Sequence, residues 1–145
     1  MKSQNPKWTN EMSVGNKALD AQHKKLFKSI SKLKEQLTID IDIVPVREII
    51  DFLFNYSTKH LVSEEKYMQN HNYPDYLKHK KLHKEYLDFF TQLKEELFKE
   101  YTSNTFVVQD IKGLLVKTEK FLTSWWTLHI LSEDQKYHRY IRARK

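Results

Sequence analysis

The sequence predicts an all-α protein: an antiparallel up-down-up-down four-helix bundle with an extended N-terminal arm. Three observations predict it. Four long segments carry apolar residues at alternating steps of three and four, the period of one helix face. The breaks between them are short, which makes consecutive helices antiparallel neighbours. The 145-residue chain also holds only two glycines and three prolines, so it has few places to turn. A chain of this length can bury a real core, and residues 1–145 read as a single domain.

Residues 1–17 are mixed polar, with Pro6, Trp8 and Gly15, and read as an arm that packs Trp8 and Val14 over the end of the core. Asp20 stands near a helix start, where a carboxylate suits free backbone N–H groups. The first helix covers about residues 19–37, with an inner face of Leu19, His23, Leu26, Ile30, Leu33 and Leu37. Residues 38–44 alternate Ile and Asp but stop at Pro45, so they read as a connection rather than a strand. The second helix covers about 45–70, its inner face being Ile49, Leu53, Tyr56, His60, Glu64 and Tyr67 or Met68. A break containing His71 and Pro74 leads into the third helix, about 74–101, with His79, Leu82 or His83, Tyr86, Phe90, Leu93 and Leu97 inward. Polar residues 102–105 form a turn with good capping residues. The fourth helix runs from about 105 to beyond 134, facing inward with Ile111, Leu114 or Leu115, Thr118, Leu122, Trp125 and His129. Residues 137–145 form a basic tail, either a frayed end or a docking site for a protein partner.

Composition removes several function classes. Cys is absent, so there is no disulfide framework, no thiolate nucleophile and no iron–sulfur ligation. No run approaches the length of a membrane span and the N-terminus has no apolar leader, which places the protein in the cytoplasm. The formal charge of +6 comes from lysines interleaved with Asp and Glu on helices, a pattern of solubility rather than of nucleic-acid binding. The inner faces are accounted for within one bundle and no long apolar outer stripe is evident, so a monomer is expected.

The residues that carry chemistry are polar groups on apolar faces. Residues i and i+4 lie about 40° apart around a helix and about 6 Å apart along it. His60 with Glu64, and His79 with His83, can each present two groups to one point. His23 and His129 each add one from another helix. In up-down-up-down order all of these positions fall at the same end of the bundle. Burying so many polar groups without compensation costs several kcal/mol each, and a metal compensates them directly. A second carboxylate follows His129. Glu133 has the favourable i+4 spacing; Asp134, at i+5, would point about 140° away on an ideal helix and needs a π-type turn or a helix end. Five imidazoles and two carboxylates exceed what one ion takes, so two bridged ions with one open position are expected. His71, in the break, and His138, in the tail, read as surface residues.

These residues resemble the bacterial haemerythrins over nearly the whole chain. The resemblance rests on Trp8, Val14 and Gly15, Leu19, Asp20, Gln22 and His23, then His60 with Glu64 and Glu65, Tyr73 and Pro74, His79 with His83, Trp125 with His129 and Ile130, and Asp134. It implies an oxo- or hydroxo-bridged non-haem di-iron centre that binds dioxygen reversibly, for storage, delivery or sensing. His79, His83 and His129 would hold one iron, and His23 and His60 the other, which keeps the open position. Glu64 and Asp134 would bridge them, so the resemblance favours Asp134 over Glu133. Glu65 should point elsewhere. Trp125, Trp126 and Ile130 would line a dry oxygen pocket. The family commonly has an aliphatic residue where Trp126 stands. Trp126 therefore either narrows the oxygen route or faces a neighbouring helix or the arm without meeting ligand. The rival readings are a di-iron oxidase, peroxidase or nitric-oxide-related enzyme, for which Tyr56, Tyr67 or Tyr86 would supply a proton, and a signalling module docking through the basic tail.

Overall fold

A computed structural model describes residues 6–38, 43–102 and 108–144. After a short 3-10 turn at Asn10–Met12 come α1 (Lys17–Gln36), α2 (Ile43–Asn70), α3 (Tyr76–Thr102) and α4 (Val108–His129). A π-helical turn, Ile130–Asp134, joins α4 to α5 (Gln135–Ala143). Among the described residues there is no strand, and no helix is long and apolar enough to cross a membrane. The expected connection at 38–44 and the polar turn at 102–105 fall largely outside the described residues.

The four long helices form the expected bundle, with α1 against α2 and α4, and α3 against α2 and α4. Cross-helix pairs set the directions. Glu65, Ser57 and Asp51 of α2 meet His83, Tyr86 and Lys94 of α3, so one helix descends as the other rises. His129 and Phe121 of α4 meet His83 and Phe89 of α3 in the same opposed sense.

Local chemistry explains the helix ends. Asn16 caps α1 by accepting the Leu19 backbone N–H at 3.1 Å, so the helix begins slightly before residue 19. Asp20 accepts from the Val14 N–H at 2.9 Å and from the Ser13 hydroxyl at 2.6 Å, tying the arm to the first turn. Pro45 falls in the first turn of α2 rather than opening it; its missing N–H has no intrahelical partner to lose there. At the far end of α2, Asn72 takes φ 53°, the Tyr73 N–H bonds the Met68 carbonyl, and the Asn72 N–H bonds the Gln69 carbonyl. That is a Schellman ending with Asn in the left-handed position.

Apolar residues fill most of the bundle's length: Leu26, Ile30 and Leu33 from α1, Val46, Ile50 and Leu53 from α2, Phe90 and Leu97 from α3, and Leu115 and Leu122 from α4. Each such side chain contributes about 1.5–3 kcal/mol by leaving water. Two inner faces are rotated relative to the sequence expectation. On α2, Ile50 and Ser57 are buried where Ile49 and Tyr56 were expected, because α2 packs between α1 and α3 and Tyr56 stacks outside on Phe52. On α4, Trp126 is fully buried and Trp125 half-buried.

The tail differs more. Its described part continues in α5 and docks instead of fraying. Tyr137 and Ile141 are buried against Val14, Leu19, Met68 and Tyr73, forming a second small core at the end of the bundle. The arm lies along α1, with the Ser31 hydroxyl on the Pro6 carbonyl at 2.9 Å and Lys24 over the Trp8 ring at 4.4 Å. Trp8 therefore packs on the side of the main core, while Val14 reaches its end. Gly15, at φ 69°, joins the two, and a Cβ there would lie 2.7 Å from Cε1 of His138.

The two glycines should respond with opposite sign. Gly15→Ala forces a left-handed alanine into His138 and should destabilise by at least about 1–2 kcal/mol. Gly113, in α4 with open space around it, should gain about 1 kcal/mol as alanine. Urea midpoints of the two variants check this.

Candidate metal centre

Seven side chains meet at the α5 end of the bundle: His23 from α1, His60 and Glu64 from α2, His79 and His83 from α3, His129 from the end of α4, and Asp134 from the π turn. All seven are buried, Glu64, Asp134 and His23 completely. They form two adjoining groups. Donor atoms of Glu64, His79, His83, His129 and Asp134 all lie within 4.8 Å of one another, as do those of His23, His60 and Glu64.

The two carboxylates connect the groups. Oε1 of Glu64 lies 3.0 Å from Nε2 of both His79 and His83, while Oε2 lies 3.5 Å from His23 and 3.4 Å from His60. Oδ1 of Asp134 lies 3.0 Å from His79 and 3.1 Å from His129, while Oδ2 lies 3.4 Å from His23. Each carboxylate thus gives one oxygen to each group.

The π turn decides which acid faces the cluster. Its wider turn brings the fifth residue after His129 back under the imidazole. Asp134 faces the cluster, and Glu133 turns outward to Lys136 at 3.0 Å.

Hydrogen bonds among protein groups do not satisfy this arrangement. Nδ1–H of His60 donates to Oε1 of Gln22 at 2.7 Å, which leaves Nε2 as a lone pair. That lone pair faces Oε2 of Glu64 at 3.4 Å, acceptor against acceptor. His83 is held similarly, its Nδ1–H donating to Oε2 of Glu65 at 2.8 Å. Its Nε2 then points at Nε2 of His129, 3.2 Å away, which lies 3.0 Å from Nε2 of His79. Nε2 of His23 and His60 and both oxygens of Asp134 have no hydrogen-bond partner. A cation at the centre of each group removes every one of these conflicts. The spacing fits too: adjacent ligands about 2.1 Å from an octahedral ion sit roughly 3 Å apart.

Electrostatics tell the same story. Burial alone would lower His23 and His79, yet the Asp134 and Glu64 carboxylates beside them carry them up to about 9 and about 10. Burial works against ionisation of Glu64 and Asp134, but the surrounding imidazoles hold both carboxyls below their usual range. Burial, with His23 alongside, keeps His60 low and neutral.

Three contributors were not assigned from sequence. Gln22 orients His60, and Glu65, expected to point elsewhere, orients His83. Being next in sequence turns Glu65 away from the centre but onto the outer edge of the His83 ring. The Tyr137 hydroxyl donates to Oε2 of Glu64 at 3.1 Å. It stands three residues after Asp134 on the same helical face, a signal lost by reading that stretch as tail. Of the tyrosines singled out from sequence, Tyr86 bonds Trp126, Tyr67 packs near Tyr137, and Tyr56 is half-buried at the edge of the main core, stacked on Phe52. His71 and His138 lie outside the cluster, half-buried rather than fully exposed; His71 Nδ1 sits 2.9 Å from the Tyr67 carbonyl. Trp125 stacks on His129 at 4.2 Å, whereas the Trp126 ring lies 5.5 Å from His60 and 6.2 Å from His23. Trp126 therefore faces the His23/His60 group.

Fold and site define a helical-bundle protein with a metal-binding core, its donors drawn from every long helix. The chain belongs to the haemerythrin family: residues 14–141 match the family model described as the hemerythrin HHE cation binding domain. It is similar to a bacteriohemerythrin of Stenotrophomonas maltophilia, 25% identical over 136 residues, which span 94% of this chain and 81% of that protein. A bacteriohemerythrin of Pseudomonas aeruginosa is 25% identical over 130 residues, 90% of this chain and 77% of the relative. A hemerythrin-like protein of Naegleria gruberi is 27% identical over 133 residues, 90% and 88% of the two chains.

His79→Ala should abolish stable metal uptake, since that imidazole contacts both carboxylates; His71→Ala should leave it unchanged. Asp134→Ala should likewise lose metal where Glu133→Ala does not. Metal analysis after desalting checks all four.

Proposed function

We propose that the protein binds dioxygen reversibly at a non-haem di-iron centre. His79, His83 and His129 would hold one iron, His23 and His60 the other, with Glu64 and Asp134 bridging. The carrying observation is the split of each carboxylate between the two imidazole groups, a donor set suited to a bridged pair of ions. Imidazole-rich donors suit iron, zinc or copper; zinc has no redox chemistry, whereas a pair of iron ions with an open position would supply the two electrons that dioxygen binding requires.

The protein's own residues favour a carrier. Five imidazoles, neutral once they ligate a metal, against two carboxylates give less negative charge than a carboxylate-rich oxidation site. Gln22 and Glu65 fix the orientation of two imidazoles. Trp126, completely buried, excludes water from the neighbourhood of His23 and His60, which would protect a bound ligand from protonation and loss. Trp125 covers His129 from the other side.

A second reading is an enzyme of the oxidase, peroxidase or nitric-oxide-related kind. The hydroxyl of Tyr137 on Glu64 favours it, because that chemistry needs a proton donor beside the centre. Either way we infer a single-domain monomer acting in the cytoplasm, with the basic residues of α5 available to a protein partner.

The deciding experiment is a cycle of reduction, air and oxygen removal on the iron-loaded chain, followed by visible spectroscopy. The carrier reading expects two irons per chain and a charge-transfer band that appears with oxygen and vanishes without it. Irreversible conversion to the oxidised spectrum with peroxide released supports the enzyme, and one zinc per chain sinks both.

A further inference from the structure

On α1, Lys24, Lys25, Lys28, Lys32 and Lys34 stand between Asp20 and Glu35 with no acid among them. Two of them are engaged by aromatic faces. Lys24 lies over Trp8, and Lys25 lies over Phe52 and Tyr56 of α2 at 5.4 and 5.1 Å. Lys28 and Lys32 are exposed and one turn apart. Lys84, Lys94 and Lys136 each sit on a carboxylate, but among the described residues Lys28 and Lys32 have none.

Both edge a groove of about 640 Å³ between α1 and the start of α2. The two helices run in opposite directions, since Gln22 meets His60 while Lys25 meets Phe52 and Tyr56. Lys28 and Lys32 therefore stand toward the Pro45 end of the groove, and Phe52 closes the other end. The groove surface is largely apolar. Pro45, Ile49 and Phe52 supply one wall, and lysine stems add methylenes to the other while their charged ends stay in water. Phe52 is 37% exposed, and its stack on Tyr56 at 5.3 Å holds the ring at this surface.

Size and charge narrow the occupant. The volume falls in the range of roughly 300–1,000 Å³ usual for small-molecule sites. A nucleic-acid backbone needs cations along its whole track, whereas here the second wall is apolar and carries Glu48. An apolar body with one anionic end matches both features.

We propose that the α1/α2 groove binds a single-chain amphiphilic carboxylate of the fatty-acid class, with its head group on Lys28 and Lys32 and its tail along Ile49 to Phe52. The two ammonium groups supply charge-assisted hydrogen bonds to the head. Glu48, at the same end, opposes it and limits the affinity. The site shares no residue with the metal centre.

Calorimetry of the full chain with decanoate, below its micelle concentration, tests this. Saturable binding of one decanoate per chain is expected. Octanoate, two methylenes shorter, should bind about tenfold more weakly. Decanol, which lacks the charge, should lose about tenfold or more. Lys28→Gln combined with Lys32→Gln should weaken decanoate by about tenfold, and Phe52→Ser by a similar factor. Glu48→Gln should tighten it about twofold. All four positions are exposed, and melting temperatures confirm that the variants fold. Bound metal and its visible spectrum should not change when decanoate saturates the chain. No binding of decanoate, equal binding of decanol, or wild-type affinity in the lysine and Phe52 variants would each overturn the proposal. So would a spectral change on binding, which puts the carboxylate on the metal. Sedimentation with phosphatidylglycerol vesicles without uptake of free decanoate would make the groove a membrane contact and overturn it as well.

Discussion

Glu64 holds the protein's chemistry together. It is completely buried, and its two oxygens face five imidazoles and one phenol drawn from α1, α2, α3, α4 and α5. A carboxylate in that position is untenable among apolar neighbours and becomes tenable once imidazoles and a cation share its charge. The consequence is structural as well as chemical. Every long helix must bring a histidine to the same level, and that level fixes how the helices are registered along the bundle. The apolar layers beyond it, from Leu26 and Leu53 to Leu33, Val46 and Leu97, supply most of the burial that keeps the register rigid.

Asp134 repeats the role of Glu64 at a higher local cost. On an uninterrupted helix it would face away from His129, and the chain accommodates it by one widened turn. The same turn re-aims the helix that follows. α5 then lays Tyr137 and Ile141 onto Val14, Leu19, Met68 and Tyr73. The site thereby acquires a lid of its own sequence, and the Tyr137 hydroxyl becomes the donor to Glu64. The arm completes this end: Gly15 allows the chain to pass under His138, and Asp20 anchors it to α1.

The two halves of the centre have different surroundings. His79, His83 and His129 are compact, with donor atoms about 3 Å apart and the Trp125 ring lying flat on His129. His23 and His60 stand 3.5 and 3.4 Å from Oε2 of Glu64 and face Trp126. The protein builds this asymmetry from one crowded group and one bounded by a hydrogen-bonded indole.

Helical class, the order of helices and the level of the site were legible in residue spacing alone. Periodic apolar faces interrupted by His23, His60 with Glu64, His79 with His83, and His129 are one-dimensional signals, because an α-helix converts spacing directly into direction. Asp134 was legible only through resemblance, since local geometry favoured Glu133 and a π turn has no strong signature in residue spacing. The roles of Gln22, Glu65 and Tyr137, and the docking of α5, were decided by tertiary structure. So was the seat of Trp126, for sequence left both the interior and a neighbouring surface open to it. Each of these depends on which side chain a neighbouring helix happens to offer at that height. A hydrogen bond across 38 or 73 residues of chain exists only once the helices are packed.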